Sequence, residues 1–206
     1  MPPAWHGVLA GKLAAQVDEL HRLCERLVGA GPAAAEAADE ARARGGPERL
    51  GMLRAALASC QARAGVGGAG EPAAGIAGAV AGELRNALSR LAFQERALLA
   101  LRDIAGLSHE EIGALLGLDA AGTALALGRA RVSLRAALRG EPPEGGRCGD
   151  RERALSAIER RCDGVQLDGP EDDWLLEHLA ACAECARAHA AVLEAAACHG
   201  AWSAAA

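Results

Sequence analysis

Gly106-Leu107-Ser108-His109-Glu110-Glu111-Ile112-Gly113-Ala114-Leu115-Leu116-Gly117-Leu118-Asp119 is the stretch that decides how this chain folds. Ser108 stands three residues before Glu111, the capping-box spacing, in which each side chain satisfies an orphan backbone N–H of the other. Ile112, Leu115 and Leu116 give the helix that follows one apolar side. Gly117-Leu118-Asp119 then reads as a tight turn, with Asp119 capping a second helix that runs through Arg129-Ala130-Arg131 to Leu138. Upstream, Leu84, Leu88 and Leu91 recur at helical spacing, and residues 96–105 predict a further helix carrying Leu98, Leu99, Leu101 and Ile104. Two short helices joined by a glycine-containing turn are the usual device for offering a helix to the DNA major groove.

Composition sets the wider class. Lys12 is the single lysine, Phe93 the single phenylalanine, and tyrosine is missing from all 206 residues. Strands draw on β-branched and aromatic side chains, whereas alanine and leucine favour helix, so the predicted class is all-α. The net charge of -5 argues against nucleic-acid binding over the whole surface. It is unevenly spread: residues 83–139 carry eight basic and six acidic side chains, and residues 140–206 six basic and thirteen acidic. A mildly basic middle followed by an acidic tail suggests separate modules. Seven cysteines without a secretion-signal pattern point to thiols or metal ligands rather than a disulfide framework. With no apolar run of bilayer length, the expectation is a soluble, cytoplasmic protein with no membrane partner.

Six segments are predicted. Residues 1–64 form a helical unit, with Leu9, Leu13, Leu20, Cys24 and Leu27 on one face of its first helix. Residues 65–82 are a Gly-rich linker, residues 83–140 the helix-turn-helix, and residues 141–149 a Pro/Gly linker. A helical hairpin over residues 150–197 and a flexible tail over residues 198–206 complete the chain.

The run from Leu84 to Leu138 resembles region 4 of the extracytoplasmic-function sigma factors, through Gln94-Glu95-Arg96, the capping box, Leu115-Leu116-Gly117 and Arg129-Ala130-Arg131. That resemblance implies a four-helix module that binds the RNA polymerase core and promoter DNA. It marks Ser108, His109, Thr123, Arg129 and Arg131 as candidate DNA contacts, with the arginines on phosphates. One departure weakens base reading. Where the family places basic residues in the recognition helix, this chain has Ala124 and Ala126, and alanine offers a base edge no hydrogen bond. Weak, salt-sensitive DNA contact is the expectation. Residues 1–64 resemble a degenerate sigma region 2, but residues 6–82 hold no aromatic except His6 and His21 on which flipped bases would stack.

His178, Cys182 and Cys185 are spaced so that one imidazole and two thiolates from neighbouring helical turns reach a single ion, a set suited to tetrahedral Zn²⁺. Cys148 and Cys162 are the candidates for the fourth ligand. An antiparallel hairpin turning near residue 167 brings Cys148 to the metal end and leaves Cys162 at the turn, which favours Cys148. The segment from Asp163-Gly164 to about Glu194 resembles the zinc-binding anti-sigma domain. Together the two resemblances imply a sigma-like transcription factor with a fused, redox-sensitive zinc domain that contacts the helix-turn-helix within the same chain. The alternative is an anti-sigma or polymerase-interaction protein that does not read DNA. No catalytic constellation is present, and the expectation is a protein that is not an enzyme.

Overall fold

The computed structural model describes residues 5–46, 48–64, 76–142 and 145–204, with side chains for 15–46, 48–64, 81–142 and 145–201. Every regular element among the described residues is an α-helix, and the chain divides into two compact units, Met1–Glu71 and Pro72–Ala206.

In the first unit, α1 (Trp5–Val28), α2 (Pro32–Arg44) and α3 (Arg49–Arg63) pack on one another. Pro32 sits in the first turn of α2, where its missing N–H costs nothing. Leu20, Leu23 and Leu27 of α1 and Leu53 and Leu57 of α3 are buried, and Ala34, Ala37 and Ala41 give α2 a buried small-residue face. Ion pairs close the edges: Arg49 Nε donates to Glu19 at 3.2 Å, and Arg63 donates to Glu40 at 2.8 Å. All three elements of this unit are helices. Pro47 and most of the Gly-rich linker lie outside the described residues.

The second unit runs α4 (Ile76–Ser89), α5 (Phe93–Asp103), α6 (His109–Leu116), α7 (Ala120–Arg139), α8 (Arg151–Cys162), α9 (Gly169–Ala181) and α10 (Ala183–Ala204). Leu84, Leu88 and Leu91 pack with Leu99 of α5 and Leu134 of α7 in one core. A second core joins Val132 of α7 to Leu155 and Ile158 of α8, Leu175 of α9 and Val192 of α10. Helix α7 thus belongs to both cores, because its apolar residues point to two sides.

Three expectations are corrected here. The helix-turn-helix and the C-terminal segment are not separate modules; both lie in the one unit. Residues 198–204 of the supposed flexible tail belong to α10, and His199 is only 1% exposed. The Gly-rich linker ends earlier than predicted, since residues 76–82 are already helical. Alanine spacing drives the second difference: Ala188, Ala191 and Ala195 give α10 a small-residue face that fits closely against α7 and α8.

Candidate nucleic-acid interface and metal cluster

The turn between α6 and α7 is built as its sequence dictates. Ser108 Oγ accepts the Glu111 N–H at 3.2 Å, and Glu111 Oε2 accepts the Ser108 N–H at 2.8 Å. Gly117 ends α6 in the left-handed region at φ 75°, and Asp119 caps α7 by accepting the Gly122 N–H at 2.6 Å. The chain bends through 92° between the two helices, as in a helix-turn-helix. Gly113 is required there. A Cβ on it would lie 2.5 Å from the Leu118 carbonyl oxygen and 3.0 Å from Thr123 Oγ1.

At the other end of the unit, Cys148, His178, Cys182 and Cys185 bring one ligand atom each to within 4.8 Å of one another. Cys148 Sγ lies 3.5 Å from His178 Nε2, and the Arg147 and Cys148 N–H groups donate to Glu184 Oε2 at 2.8 and 3.0 Å, fixing the loop that carries Cys148. The His178 ring stacks on Trp174 at 5.1 Å, and the Arg153 guanidinium covers Trp174 at 3.6 Å, so the imidazole is held in place. Cys182 occupies the break between α9 and α10 in extended conformation. The Cys185 backbone N–H, together with the neighbouring thiols and the Glu184 N–H, holds its thiol below the usual range, as expected at a helix N-terminus. Burial, and then the Cys182 and Cys148 sulfurs, push the Cys185 thiol up to about 12. Three sulfurs and an imidazole converging so closely form a soft donor set that fits one cation, since thiolates this near one another repel without it. The structure brings Cys148, not Cys162, to this set.

The family model for sigma-70 region 4 matches residues 81–134, which span the end of α4 through most of α7. Residues 81–134 are a sigma-70 region 4 domain. No curated protein and no solved structure matches the chain. Sigma-70 region 4 domains are non-catalytic DNA-binding modules.

Within this region 4 domain, most of the side chains predicted to touch DNA are engaged elsewhere. Ser108 is used as the cap of α6. Thr123 is fully buried, and its hydroxyl donates to the Asp119 carbonyl at 2.8 Å, so it braces the turn rather than meeting a base. His109 is buried, with Nε2 3.0 Å from Asp163 Oδ2. Arg131, expected on a phosphate, is 2% exposed. Arg129 alone of the five is well exposed, and it is ion-paired with Glu152 of α8.

All four arginines of α7 have carboxylate partners, in each case including one from the C-terminal segment. Arg135 pairs with Glu141 at 3.0 Å and Glu194 at 3.4 Å, and Arg139 with Glu194 at 2.8 Å. Helix α8 lies along α7, with Ser156 Oγ donating to the Ala121 carbonyl at 3.2 Å. Gly128 permits the approach: a Cβ there would stand 3.1 Å from the Leu155 carbonyl oxygen.

Arg131 occupies a carboxylate cage. Its guanidinium lies 3.2 Å from each of Asp103, Glu159 and Asp163, and also donates to Cys162 Sγ at 3.2 Å. Arg102 Nε reaches Asp163 at 2.8 Å, and His199 Nδ1–H donates to Asp103 at 2.6 Å. Glu159 is fully buried and neither of its oxygens accepts a well-formed hydrogen bond. Burial, which the Arg131 charge only partly offsets, pushes its carboxyl up to about 8. Asp163 goes the other way. Burial raises it, but the His109 hydrogen bond and the Arg131 and Arg102 charges together hold it below the ordinary carboxylate range. His109, Glu159 and Asp163 lie close enough to ligate an ion, but the Arg131 guanidinium already supplies the cation at 3.2 Å from two of them. We assign no metal there. Glu152, Glu159, Glu194 and His199 escaped the sequence reading because acidic side chains in a helix look solvated until their partners are known.

Proposed function

We propose that this chain is a transcription regulator in which a region 4 domain, competent for RNA polymerase and promoter DNA, is held shut by its own C-terminal segment. The observation that carries the reading is the engagement of all four α7 arginines by carboxylates of α8 or α10. Phosphate contact needs those guanidinium groups free. Zn²⁺ held by Cys148, His178, Cys182 and Cys185 would pin the α8 start to the α9–α10 break, and so keep α8 and α10 against α7. Bound there, the ion supplies cross-linking alone, as structural zinc sites do. Oxidation of the thiols ends their ability to hold it and loosens the segment.

The test uses the full chain loaded with zinc, and the same chain after peroxide treatment and chelation. Core-polymerase pull-down and DNA-binding anisotropy over a salt series are the readouts. Stronger binding after zinc release, with a steeper salt dependence, supports the proposal. Equal binding in both states overturns it.

A second reading is favoured by α7 itself, whose outward residues near its start include Ala121 and Ala126, which read no base. In that reading the protein binds polymerase or another sigma factor and leaves DNA alone. Polymerase capture with no DNA binding at any salt, in either state, identifies it.

A further inference from the structure

Three of the four converging donors are placed by helix geometry. His178 lies in the last turn of α9, Cys182 occupies the break, and Cys185 sits in the first turn of α10, so residues 178–185 carry them as one piece. Cys148 comes from elsewhere, in the loop between α7 and α8, and no helix of its own holds it. What holds that loop is Glu184. Its Oε2 accepts the N–H groups of two consecutive residues, Arg147 at 2.8 Å and Cys148 at 3.0 Å. Hydrogen bonds to an ionised acceptor are roughly twice as strong as neutral ones. The Cys148 carbonyl in turn accepts the Arg151 N–H at 3.2 Å, where α8 begins. An acid in the first turn of α10 already suits the helix dipole. Here the carboxylate does more: it is turned off its own helix and onto the backbone that carries the fourth donor.

We propose that Glu184 is a positioning residue of the metal site, presenting Cys148 to the ion by holding the Arg147–Cys148 backbone on α10. The inference rests on the reading of Cys148, His178, Cys182 and Cys185 as a zinc site. A loop that must be ordered when the ion binds gives up conformational freedom at that moment, and affinity falls accordingly. A loop already bonded to Glu184 has given up that freedom beforehand. Groups that orient metal ligands typically contribute about 10–100-fold in metal affinity, and Glu184 belongs in that range. Without its carboxylate, His178, Cys182 and Cys185 still meet, and the fourth position opens to water. The defect is therefore specific: three sulfurs on the ion become two, with the helices intact. Glu184 thereby also sets how firmly the ion joins the start of α8 to α10, because Cys148 is the donor on the α8 side.

The experiment loads the full, reduced chain with Co²⁺, whose thiolate charge-transfer absorption counts the bound sulfurs, and measures affinity by chelator competition. Wild type should show three thiolates. Glu184→Ala should lower affinity by about 10–100-fold and cut the charge-transfer absorption by roughly a third, as Cys148 leaves the ion. Circular dichroism of the metal-free chain should match wild type. Two conservative variants separate positioning from helix charge. Glu184→Gln keeps an acceptor oxygen at the same reach and should retain three thiolates. Glu184→Asp keeps the charge on α10 but is one methylene short, and should lose the third. In a Cys148→Ala background, Glu184→Ala should change affinity by no more than about twofold, since the ligand it serves is gone. A Glu184→Ala chain with three thiolates and wild-type affinity overturns the role of Glu184 and leaves the zinc reading standing. An equal loss in the Cys148→Ala background also overturns it, because Glu184 then acts on α10 alone. A wild-type chain that binds no cobalt overturns the zinc reading, and this inference with it.

Discussion

Replacing Arg131 with methionine keeps the length of the side chain and removes its charge, and the cage predicts a large cost. The guanidinium is 2% exposed and faces three carboxylates at 3.2 Å. Two of those carboxylates keep another partner: Arg102 remains for Asp163 and His199 for Asp103. Glu159 keeps none, and escapes its uncompensated charge only by holding a proton. Breaking a buried pair by removing one partner costs about 3–5 kcal/mol, and the retained partners place this case near the lower figure. The loss should be read locally, because two units unfold in one chain. Hydrogen exchange of residues 151–162 should accelerate by roughly a hundredfold or more, at about tenfold per 1.4 kcal/mol, with α1–α3 unchanged. Glu159→Gln should cost much less, since Arg131 keeps two carboxylates. The double variant should cost less than the sum of the singles, with a coupling of about 0.5–3 kcal/mol. An Arg131→Met chain whose α8 exchanges within threefold of wild type would show that the cage does not hold α8 on α7.

Gly128→Leu places a side chain where a Cβ alone would already stand 3.1 Å from the Leu155 carbonyl. It should weaken the α7–α8 contact by about 1–3 kcal/mol and raise polymerase or DNA binding in anisotropy, without altering any arginine. Stability should also depend on pH through Glu159 and Asp163. Glu159, raised to about 8, contributes stability fully present below its unfolded value and lost as pH rises toward 8, by at most about 1.4 kcal/mol per pH unit. Asp163 is lowered, so its contribution is present above its unfolded value and lost as pH falls toward its folded one. Urea unfolding with saturating zinc should therefore show a wild-type decline from pH 5 to 8 that Glu159→Gln flattens; parallel profiles would refute it. Purified chain should bind one zinc ion by metal analysis, and Cys148→Ser should release it at lower chelator concentration, whereas Cys162→Ser should not.

The local chemistry of the helix-turn-helix was legible because each of its signals acts within four residues. Ser108 with Glu111, Gly117, and Asp119 are read from spacing alone, and each makes the contact its type implies. The Cys/His cluster was legible for a related reason. His178, Cys182 and Cys185 share one short segment, and the antiparallel return of α8 brings Cys148 to them. What the sequence could not show is which side of α7 is covered. Arg131 in a basic helical tail reads as a phosphate contact until Glu159 and Asp163, about thirty residues on, are known to face it. Thr123 reads as a groove contact until Gly113 is seen to admit it against α6. The same blindness made His199 part of a tail: its partner Asp103 lies 96 residues away. Long-range pairing, not propensity, decided each of these.

Opposite charges on α7 and the acidic C-terminal segment attract one another, but charge at the surface is a minor part of what holds α8 and α10 on α7. Arg129 and Glu152 are both more than half exposed, and Arg139 and Glu194 more than a third, so water and salt screen these pairs and they add little. DNA phosphates would compete for them on nearly equal terms. The contacts that phosphate cannot replace lie deeper: Val132 against Leu155, Ile158 and Val192, and Arg131 in its cage. Separating α8 from α7 exposes that apolar core to water and strips three carboxylates of their cation at once. The exposed arginines therefore steer the acidic segment onto α7, while the buried core and the cage keep it there. It follows that raising salt alone should not open the chain, although it weakens every surface pair. Loss of the metal tether or disruption of the cage should. High salt that freed α7 as readily as zinc removal would mean that the surface pairs, and not the core, are the lock.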